Sequence, residues 1–316
     1  MHALPRRLAA PLVVMIVIGQ AGPAAADPVD LDAGVLLRSA GLATFELGNL
    51  GAFEIGSATG QWTGSVFSGA GRITVDGVPL FVPDSQADLV EVDGVGATLT
   101  TVAIPTASGL EAIIELRTLG NGVVDLRELV TLRNPTSADV TVTIEHRTDL
   151  VDDDNPPDEL RVADTADGDD VVSATDRWSL TRDFRDDNEP NPALVGTVVA
   201  GPGDIAVAPV FALSTEDSEP LPLDDLTAVF QVTVPAGQTR QLLFFYRMSS
   251  DQQAELDFLS VMDDFDVVPT ASSPLFVGID PATFPGIVNW FPAAPAPAPA
   301  PAPVAVPVAA APSFTG

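Results

Sequence analysis

The sequence predicts an all-β protein: a large antiparallel β-sandwich with one late helix and a disordered Pro/Ala-rich C-terminal tail. Between Leu110 and Ile144, apolar residues recur at every second position, the period of a strand with one buried face. Turn-forming pairs such as Asn121-Gly122 and Asp76-Gly77 separate runs of this kind. Nowhere do strand patterns alternate with helix patterns, so a parallel α/β sheet is disfavoured.

The stretch from Leu110 to Leu150 predicts three consecutive antiparallel strands with one face toward a core and the other toward water. Asn121-Gly122 tolerates the positive φ of a tight hairpin and joins the first two strands. Asn134-Pro135 ends the second run before the third begins. His146 shares the inward face of Ile144, which favours a packed histidine over a general base or a metal ligand.

Shorter strands are predicted on both sides of this unit. Before it, Asp76-Gly77 indicates a hairpin whose second strand contains Pro79, and proline is confined to sheet edges. After it, short apolar pieces lie between acidic loops, and later strands are expected to pair around two turn sequences. Those later pairs are 194–200 with 205–213 around Gly201-Pro202-Gly203, and 226–234 with 240–248 around Pro235-Ala236-Gly237.

The helix is predicted over residues 250–263. Ser250 is an N-cap candidate, Gln253 follows at capping-box spacing, and apolar residues then recur at helical spacing. Residues 274–290 are expected to lie back against the domain. Residues 291–316 are mostly Pro, Ala and Val, which predicts an extended linker or tail.

The domain organisation predicted from these elements is a β-sandwich over residues 27–290. Residues 41–148 and 171–248 are open to two interpretations, as two packed sheets of one domain or as two sandwiches in tandem. One domain is favoured, because only acidic loops separate the two halves.

Residues 1–26 have the pattern of a secretory signal peptide. Arg6 and Arg7 precede an apolar run, and Ala24-Ala25-Ala26 resembles a cleavage site. The expected location is therefore periplasmic, cell-surface or extracellular. We expect no membrane insertion of the mature chain, because no other apolar stretch is long enough to span a bilayer.

Charge and cysteine content exclude several classes of function. The formal net charge is −30, and all 14 basic residues are Arg. Such a charge disfavours binding to nucleic acid and to anionic lipid surfaces. The chain has no Cys, so thiol catalysis and thiolate metal sites are excluded. G-x-S-x-G, HExxH and P-loop patterns are also missing.

The acidic loops predict a calcium site as one of two interpretations, the other being a solvated acidic coat. Calcium takes six to eight oxygen ligands, and closely spaced carboxylates supply them. Gly168 permits a sharp turn within the second acidic run, although neither run has EF-hand spacing. The candidate ligands are Glu145, Asp149, Asp152, Asp154, Asp164, Asp167 and Asp169.

Trp178 is the candidate for ligand binding by stacking on a sugar ring, since it lies between the acidic loops. A core tryptophan is the competing interpretation, and the more common one. Paired carboxylates for glycoside hydrolysis are uninformative here, because 44 acidic residues would form pairs in any fold.

Three segments resemble uncharacterised bacterial exported β-sandwich proteins and, more loosely, carbohydrate-associated supersandwich folds. They are VVDLRELVTLRNPTSADVTVTIEHRTDL, ATDRWSLTRDF and VTVPAGQTRQLLFFYRM. The resemblance implies a secreted or cell-surface module in contact with a protein or a glycan, and it transfers no catalytic residue. The function predicted is a non-enzymatic structural or interaction module stabilised by Ca²⁺. The alternative is a carbohydrate-binding or carbohydrate-active β-sandwich protein.

Overall fold

The computed structural model is an antiparallel β-sandwich. It describes residues 27–29, 35–38, 43–47, 53–57, 65–80, 87–92, 96–119, 126–149, 160–183, 194–202, 205–214, 225–249 and 273–292. The predicted signal peptide, the helix over 250–263 and the tail lie outside these residues. None of the helices in the described part of the chain is long and apolar enough to span a membrane.

Within the residues that the structure describes, eighteen strands and two short 3₁₀ helices follow one another. The first nine strands are β1 (Asp27–Val29), β2 (Val35–Arg38), β3 (Ala43–Leu47), β4 (Phe53–Ser57), β5 (Ser65–Val75), β6 (Val78–Pro79), β7 (Ala87–Val92), β8 (Gly96–Thr101) and β9 (Ile104–Pro105). The next nine are β10 (Glu111–Thr118), β11 (Leu126–Arg133), β12 (Val140–Asp149), β13 (Leu160–Thr165), β14 (Trp178–Asp183), β15 (Leu194–Val198), β16 (Val210–Ser214), β17 (Asp225–Val234) and β18 (Thr239–Ser249). The 3₁₀ helices are η1 (Pro274–Phe276) and η2 (Pro281–Gly286).

The strands form two sheets that face each other across the core. The first sheet has ten strands in the order β1-β7-β8-β10-β11-β18-β15-β14-β13, with β9 beside β10. The second has eight strands in the order β16-β17-β12-β5-β4-β3-β2, with β6 beside β5. Each sheet takes strands from both halves of the chain. The division into sub-sheets 41–148 and 171–248 is therefore not the one found.

The predicted three-stranded unit is correct for its first two strands and wrong for the third. β10 and β11 pair antiparallel from Glu111↔Arg133 to Thr118↔Leu126. β12 pairs instead with β17 and β5 in the second sheet. The chain crosses between the sheets here in an arch that the side chain of Asn134 stabilises. Its side-chain amide donates to the carbonyl oxygens of Ala138 and Val234, at 2.8 and 2.9 Å.

A second arch replaces the hairpin predicted at Pro235-Ala236-Gly237. β17 lies in the second sheet and β18 in the first, so the chain crosses here as well. The two arches are tied together, since the backbone N–H of Asn134 donates to the Gln238 carbonyl oxygen at 2.9 Å. β15 and β16 also lie in different sheets, so the predicted pairing around Gly201-Pro202-Gly203 is wrong.

The hairpin predicted at Asp76-Gly77 is confirmed. Asp76 has φ 51° and Gly77 has φ 75°, the two positive values that this turn requires. β6, which contains Pro79, pairs only with β5 and is an edge strand, as predicted. β3 and β4 pair antiparallel with each other.

Apolar side chains from both sheets fill the space between them. The first sheet is also covered on its other face, contrary to the prediction that this face meets water. A second apolar cluster there joins residues such as Leu129 and Phe245 to residues 275–290. The expectation that the closing segment lies back against the domain is confirmed, and β11 is consequently buried on both faces.

Candidate functional site

An acid, an imidazole and a phenol meet in the core between the two sheets. Glu128 of β11 and Tyr246 of β18 belong to the first sheet, and His146 of β12 belongs to the second. His146 Nε2 lies 3.3 Å from Glu128 Oε2 and 2.5 Å from Tyr246 Oη. The Tyr246 hydroxyl donates to the same Glu128 oxygen at 3.1 Å. We call these three residues the inter-sheet cluster.

The pleat of each strand turns these three side chains inward. Glu128 occupies the face that Leu126 and Val130 fill with apolar side chains. His146 follows Ile144 on the inward face of β12, and its ring stacks on Phe244 with 4.0 Å between centroids. Each polar group is therefore held in position by apolar neighbours on its own strand or on the facing sheet.

Burial sets the protonation of the phenol. Desolvation, reinforced by the adjacent Glu128 carboxylate, raises the pKa of Tyr246 well above its usual value, so the phenol stays neutral at physiological pH. The other oxygen of Glu128, Oε1, is buried without a hydrogen-bond partner among the described residues. A carboxylate beside an imidazole can exchange protons, but each member of the cluster is at most 1% exposed. In this arrangement the inter-sheet cluster joins the sheets and has no face open to a substrate.

Two arginines hold the closing segment, residues 273–292, on the opposite face of the first sheet. Arg127 of β11 is fully buried, and its Nη1 donates to the carbonyl oxygen of Val277 at 2.8 Å and to that of Leu275 at 3.3 Å. Arg117 of β10 donates to the same Val277 oxygen at 3.0 Å. Arg127 Nη2 bonds Glu115 Oε1 at 2.9 Å. We call Arg117, Arg127 and Glu115 the arginine clamp.

The charge balance of the arginine clamp is set by burial and by one carboxylate. Burial lowers the pKa of both Arg117 and Arg127, and the negative charge of Glu115 opposes this in each case. A guanidinium remains protonated in proteins, so two positive charges face one negative charge here. Carbonyl oxygens of the closing segment supply further acceptors to the Nη1 atoms of both arginines, which ties the segment to the sheet at this point.

The structure divides the predicted calcium ligands between the two sheets. Glu145 and Asp149 lie on β12 in the second sheet, and Glu145 accepts a hydrogen bond from Thr74 at 3.1 Å. Asp164 lies on β13 in the first sheet, and Asp167 and Asp169 follow in the adjoining turn. Asp152 and Asp154 lie outside the described residues. In the part of the chain that is described, no three His, Cys, Asp or Glu side chains converge on a possible metal position.

The turn after β13 uses its carboxylates for its own hydrogen bonds. The Thr165 hydroxyl contacts Asp167 Oδ1 at 2.9 Å and Asp169 Oδ1 at 3.2 Å. The Thr165 amide donates to Asp164 Oδ1 at 2.8 Å. Gly168 has φ 84°, as the predicted sharp turn requires. The three carboxylates therefore lie close along the chain, and calcium binding by them stays a prediction.

Trp178 is 6% exposed and packs in the second apolar cluster beside Leu180. Its indole nitrogen has no hydrogen-bond partner among the described residues. A ring with so little exposure has no free face on which a sugar could stack. The burial favours the core interpretation of Trp178.

Sequence reasoning placed His146 in the core, and its 1% exposure confirms this. It missed Glu128, Tyr246 and both buried arginines. One signal was present for Glu128, since it interrupts an otherwise apolar inward face between Leu126 and Val130. No comparable signal existed for Arg127, because the closing segment that buries it lies more than a hundred residues away.

Comparison with known proteins gives only remote likenesses. No protein-family model matches the chain. No curated protein matches it.

Among solved structures, the chain is similar to a galactose mutarotase-like protein from Lactobacillus casei, with TM-score 0.41 and 10% identity over 68% of this chain and 100% of that one. It is similar to a heparinase III, with TM-score 0.42 and 12% identity over 72% of this chain and 36% of that one. It is also similar to a 4-alpha-glucanotransferase from Thermococcus litoralis, with TM-score 0.34 and 10% identity over 72% of this chain and 40% of that one. The chain thus spans well under half the length of the last two proteins.

Proposed function

We propose that this chain is an exported, non-enzymatic β-sandwich module with a structural or interaction role at the cell surface or outside the cell. One observation carries the proposal. Among the residues that the structure describes, the acid, imidazole and phenol that the fold brings together, Glu128, His146 and Tyr246, are 0 to 1% exposed and bonded to one another. Groups in such a setting stabilise a fold and do not reach a substrate.

Export is supported by the N-terminal pattern of Arg6 and Arg7, the apolar run and Ala24-Ala25-Ala26. The test is expression of the full chain in a bacterial host, with mass spectrometry of the cytoplasmic and exported fractions. We expect an exported product that begins at Asp27. Full-length chain retained in the cytoplasm would contradict this part of the proposal. A chain with Arg6 and Arg7 changed to Glu is the matched control and should be exported less.

The non-enzymatic role is tested against the carbohydrate alternative. The purified protein is applied to a glycan array and to chromogenic glycosides. We expect no saturable binding and no turnover. If turnover occurred and were lost in Glu128→Gln while the fold was retained, the inter-sheet cluster would be catalytic and the proposal wrong. Saturable glycan binding would favour the alternative instead.

Stabilisation by calcium is the finer part of the proposal. It is supported by the close spacing of Asp164, Asp167 and Asp169 in the sequence, and by the acidic residues that precede them. The test is thermal unfolding at increasing calcium concentration, with sodium chloride at matched ionic strength as the control.

A further inference from the structure

The closing segment completes the first sheet at a place where a strand is missing. β15 pairs with β18 only from Leu194↔Ser249 to Val198↔Phe245. Beyond that point, the β15 side of β18 receives the closing segment. Gln241 and Ile287 form a parallel bridge, and the Val288 amide donates to the Gln241 carbonyl oxygen at 2.9 Å.

Side chains of the segment take over the hydrogen bonds that a neighbouring strand would make. The Asn289 amide group accepts from the Leu243 amide at 3.0 Å and donates to the Leu243 carbonyl oxygen at 2.9 Å. It also donates to the Val199 carbonyl oxygen at 2.9 Å. Trp290 Nε1 donates to the Leu243 oxygen at 2.7 Å. The main chain of β18 is therefore satisfied by one β-bridge residue, Ile287, and by the side chains of Asn289 and Trp290.

Aromatic anchors and the arginine clamp complete the recognition. Trp290 is 1% exposed and meets Phe245 edge to face with 5.1 Å between ring centroids. At the other end of the segment, both arginines of the clamp bind the Val277 carbonyl oxygen. Main-chain hydrogen bonds, buried aromatic anchors and a buried arginine are the features that dominate the binding energy of peptide sites.

We propose that this face of the first sheet is a peptide-binding site. It is filled by the closing segment of its own chain, and it accepts the same segment from a second copy of the chain. The inference specifies a partner for the interaction role proposed above and rests on that role. A second copy is the occupant that fits, because it brings the same Asn289 and Trp290 to the same acceptors. Exchange of an identical element forms a dimer at low cost, since every contact is kept.

The length of the connector permits the exchange. Residues 250–272 join β18 to the closing segment, and with residues 250–263 in the predicted helix this connector still reaches about 50 Å. A tethered segment has an effective concentration in the millimolar range, so the closed single chain dominates in dilute solution. Exchange is therefore expected at high protein concentration, or when the chain's own segment is weakened.

The test uses the full chain carrying Asn289→Ala and Trp290→Ala, which weakens its own segment and leaves β18 intact. A fluorescent synthetic peptide of residues 273–292 is titrated into this variant and into the wild-type protein. We expect saturable binding to the variant and at least tenfold weaker binding to the wild type. A peptide carrying the same two substitutions should lose the binding. A Val277→Ala peptide should retain it, because only the Val277 carbonyl oxygen is recognised.

A second arm covers loss of folding in the variant. A protease site is placed within residues 250–272 of the otherwise wild-type full chain, and the chain is cleaved after purification. We expect the labelled peptide to replace the cleaved segment, while circular dichroism stays unchanged. Failure of the peptide to bind either protein would overturn the inference, as would equal binding by the doubly substituted peptide. These outcomes leave the export and turnover tests untouched, so failure of the inference is distinguishable from failure of the proposed function.

Discussion

His146 and Glu128 meet across the two sheets, with 3.3 Å between Nε2 and Oε2 and no more than 1% of either residue exposed. Tyr246 bonds to both of them. A polar contact at this position constrains how the sheets are placed, because a shift of either sheet would leave buried polar groups without partners. The inter-sheet cluster thus adds directional contacts to a core in which most contacts are apolar and non-directional.

The inter-sheet cluster is predicted to be energetically coupled. Glu128→Gln and Tyr246→Phe should each lower the free energy of unfolding by about 1–3 kcal/mol, because each leaves a buried polar group less satisfied. In the double variant the two losses should be non-additive by about 0.5–3 kcal/mol. Urea unfolding of the four proteins measures this. Thr141→Val, which removes half of an exposed Thr141–Thr233 pair, is the control and should change stability by less than about 0.5 kcal/mol. Additive losses would contradict the coupling.

Tyr246 is predicted to make the protein unstable in alkaline solution. Its pKa in the folded state is raised by burial, so the folded state holds its proton more tightly than the unfolded state. The resulting stability is fully present below about pH 10 and is lost as the pH rises from there toward the folded pKa, at up to about 1.4 kcal/mol per pH unit. Tyr246→Phe should lack this decline.

The measurement is unambiguous because Tyr246 is the only tyrosine in the chain. Phenolate absorbance should appear together with unfolding in the native protein and near pH 10 in concentrated urea. Reversible phenolate formation near pH 10, with the circular dichroism unchanged, would show that the phenol is accessible.

The arginine clamp is predicted to stabilise the fold far more than a surface pair does. Arg127→Met removes the donor to Glu115 and to two carbonyl oxygens, and should cost at least about 2 kcal/mol. Arg133→Met is the matched control on the same strand. Arg133 is 63% exposed at its side chain and pairs with a partly exposed Glu111 at 3.3 Å, so its loss should cost less than about 1 kcal/mol. Equal unfolding midpoints for the two variants would contradict the role of the clamp.

Gly201 is predicted to be required for docking of Trp290. A Cβ at Gly201 would lie 2.7 Å from Trp290 Cε3, so Gly201→Ala should cost about 1–3 kcal/mol and shift the fluorescence of Trp290 toward that of an exposed indole. Gly286 lies in the closing segment, as Trp290 does, and a Cβ at Gly286 would meet nothing closer than the Thr239 carbonyl oxygen at 4.0 Å. Gly286→Ala is therefore the control. It should leave both the unfolding midpoint and the emission spectrum nearly unchanged. A silent Gly201→Ala would mean that Trp290 can pack elsewhere.

Calcium is predicted to raise the thermal unfolding midpoint in a concentration-dependent way. At a hundredfold excess over the dissociation constant, the stabilisation would be about 2.7 kcal/mol. Asp164→Asn and Asp167→Asn should reduce the effect, and a chelator should abolish it. Sodium chloride at matched ionic strength is the control, because screening of the acidic residues needs no specific cation. An unchanged midpoint at millimolar calcium would remove calcium from the proposal.

Much of the strand content could be predicted from the sequence, since a period of two is a local property. The alternation through Ile144 placed His146 inside, and Asp76-Gly77 specified its own turn because both residues accept positive φ. The calcium hypothesis had no comparable support. Carboxylates close along the chain, such as Asp164 and Asp167, do not reveal which strand ends meet in space.

By itself, the sequence determined the class of fold and which side chains face inward on most strands, because backbone sterics and pleating act over a few residues. Only the tertiary structure decided which sheet each strand joins. A run such as Val140–Ile144 carries the same alternation whether the chain turns back or crosses over. The bonds from Asn134 to Val234 and Gln238 accompany the crossing, and their partners lie about a hundred residues further along the chain. Tertiary structure likewise decided that Glu128 finds His146 and that Arg127 is buried, because their partners lie on strands or segments distant in the chain.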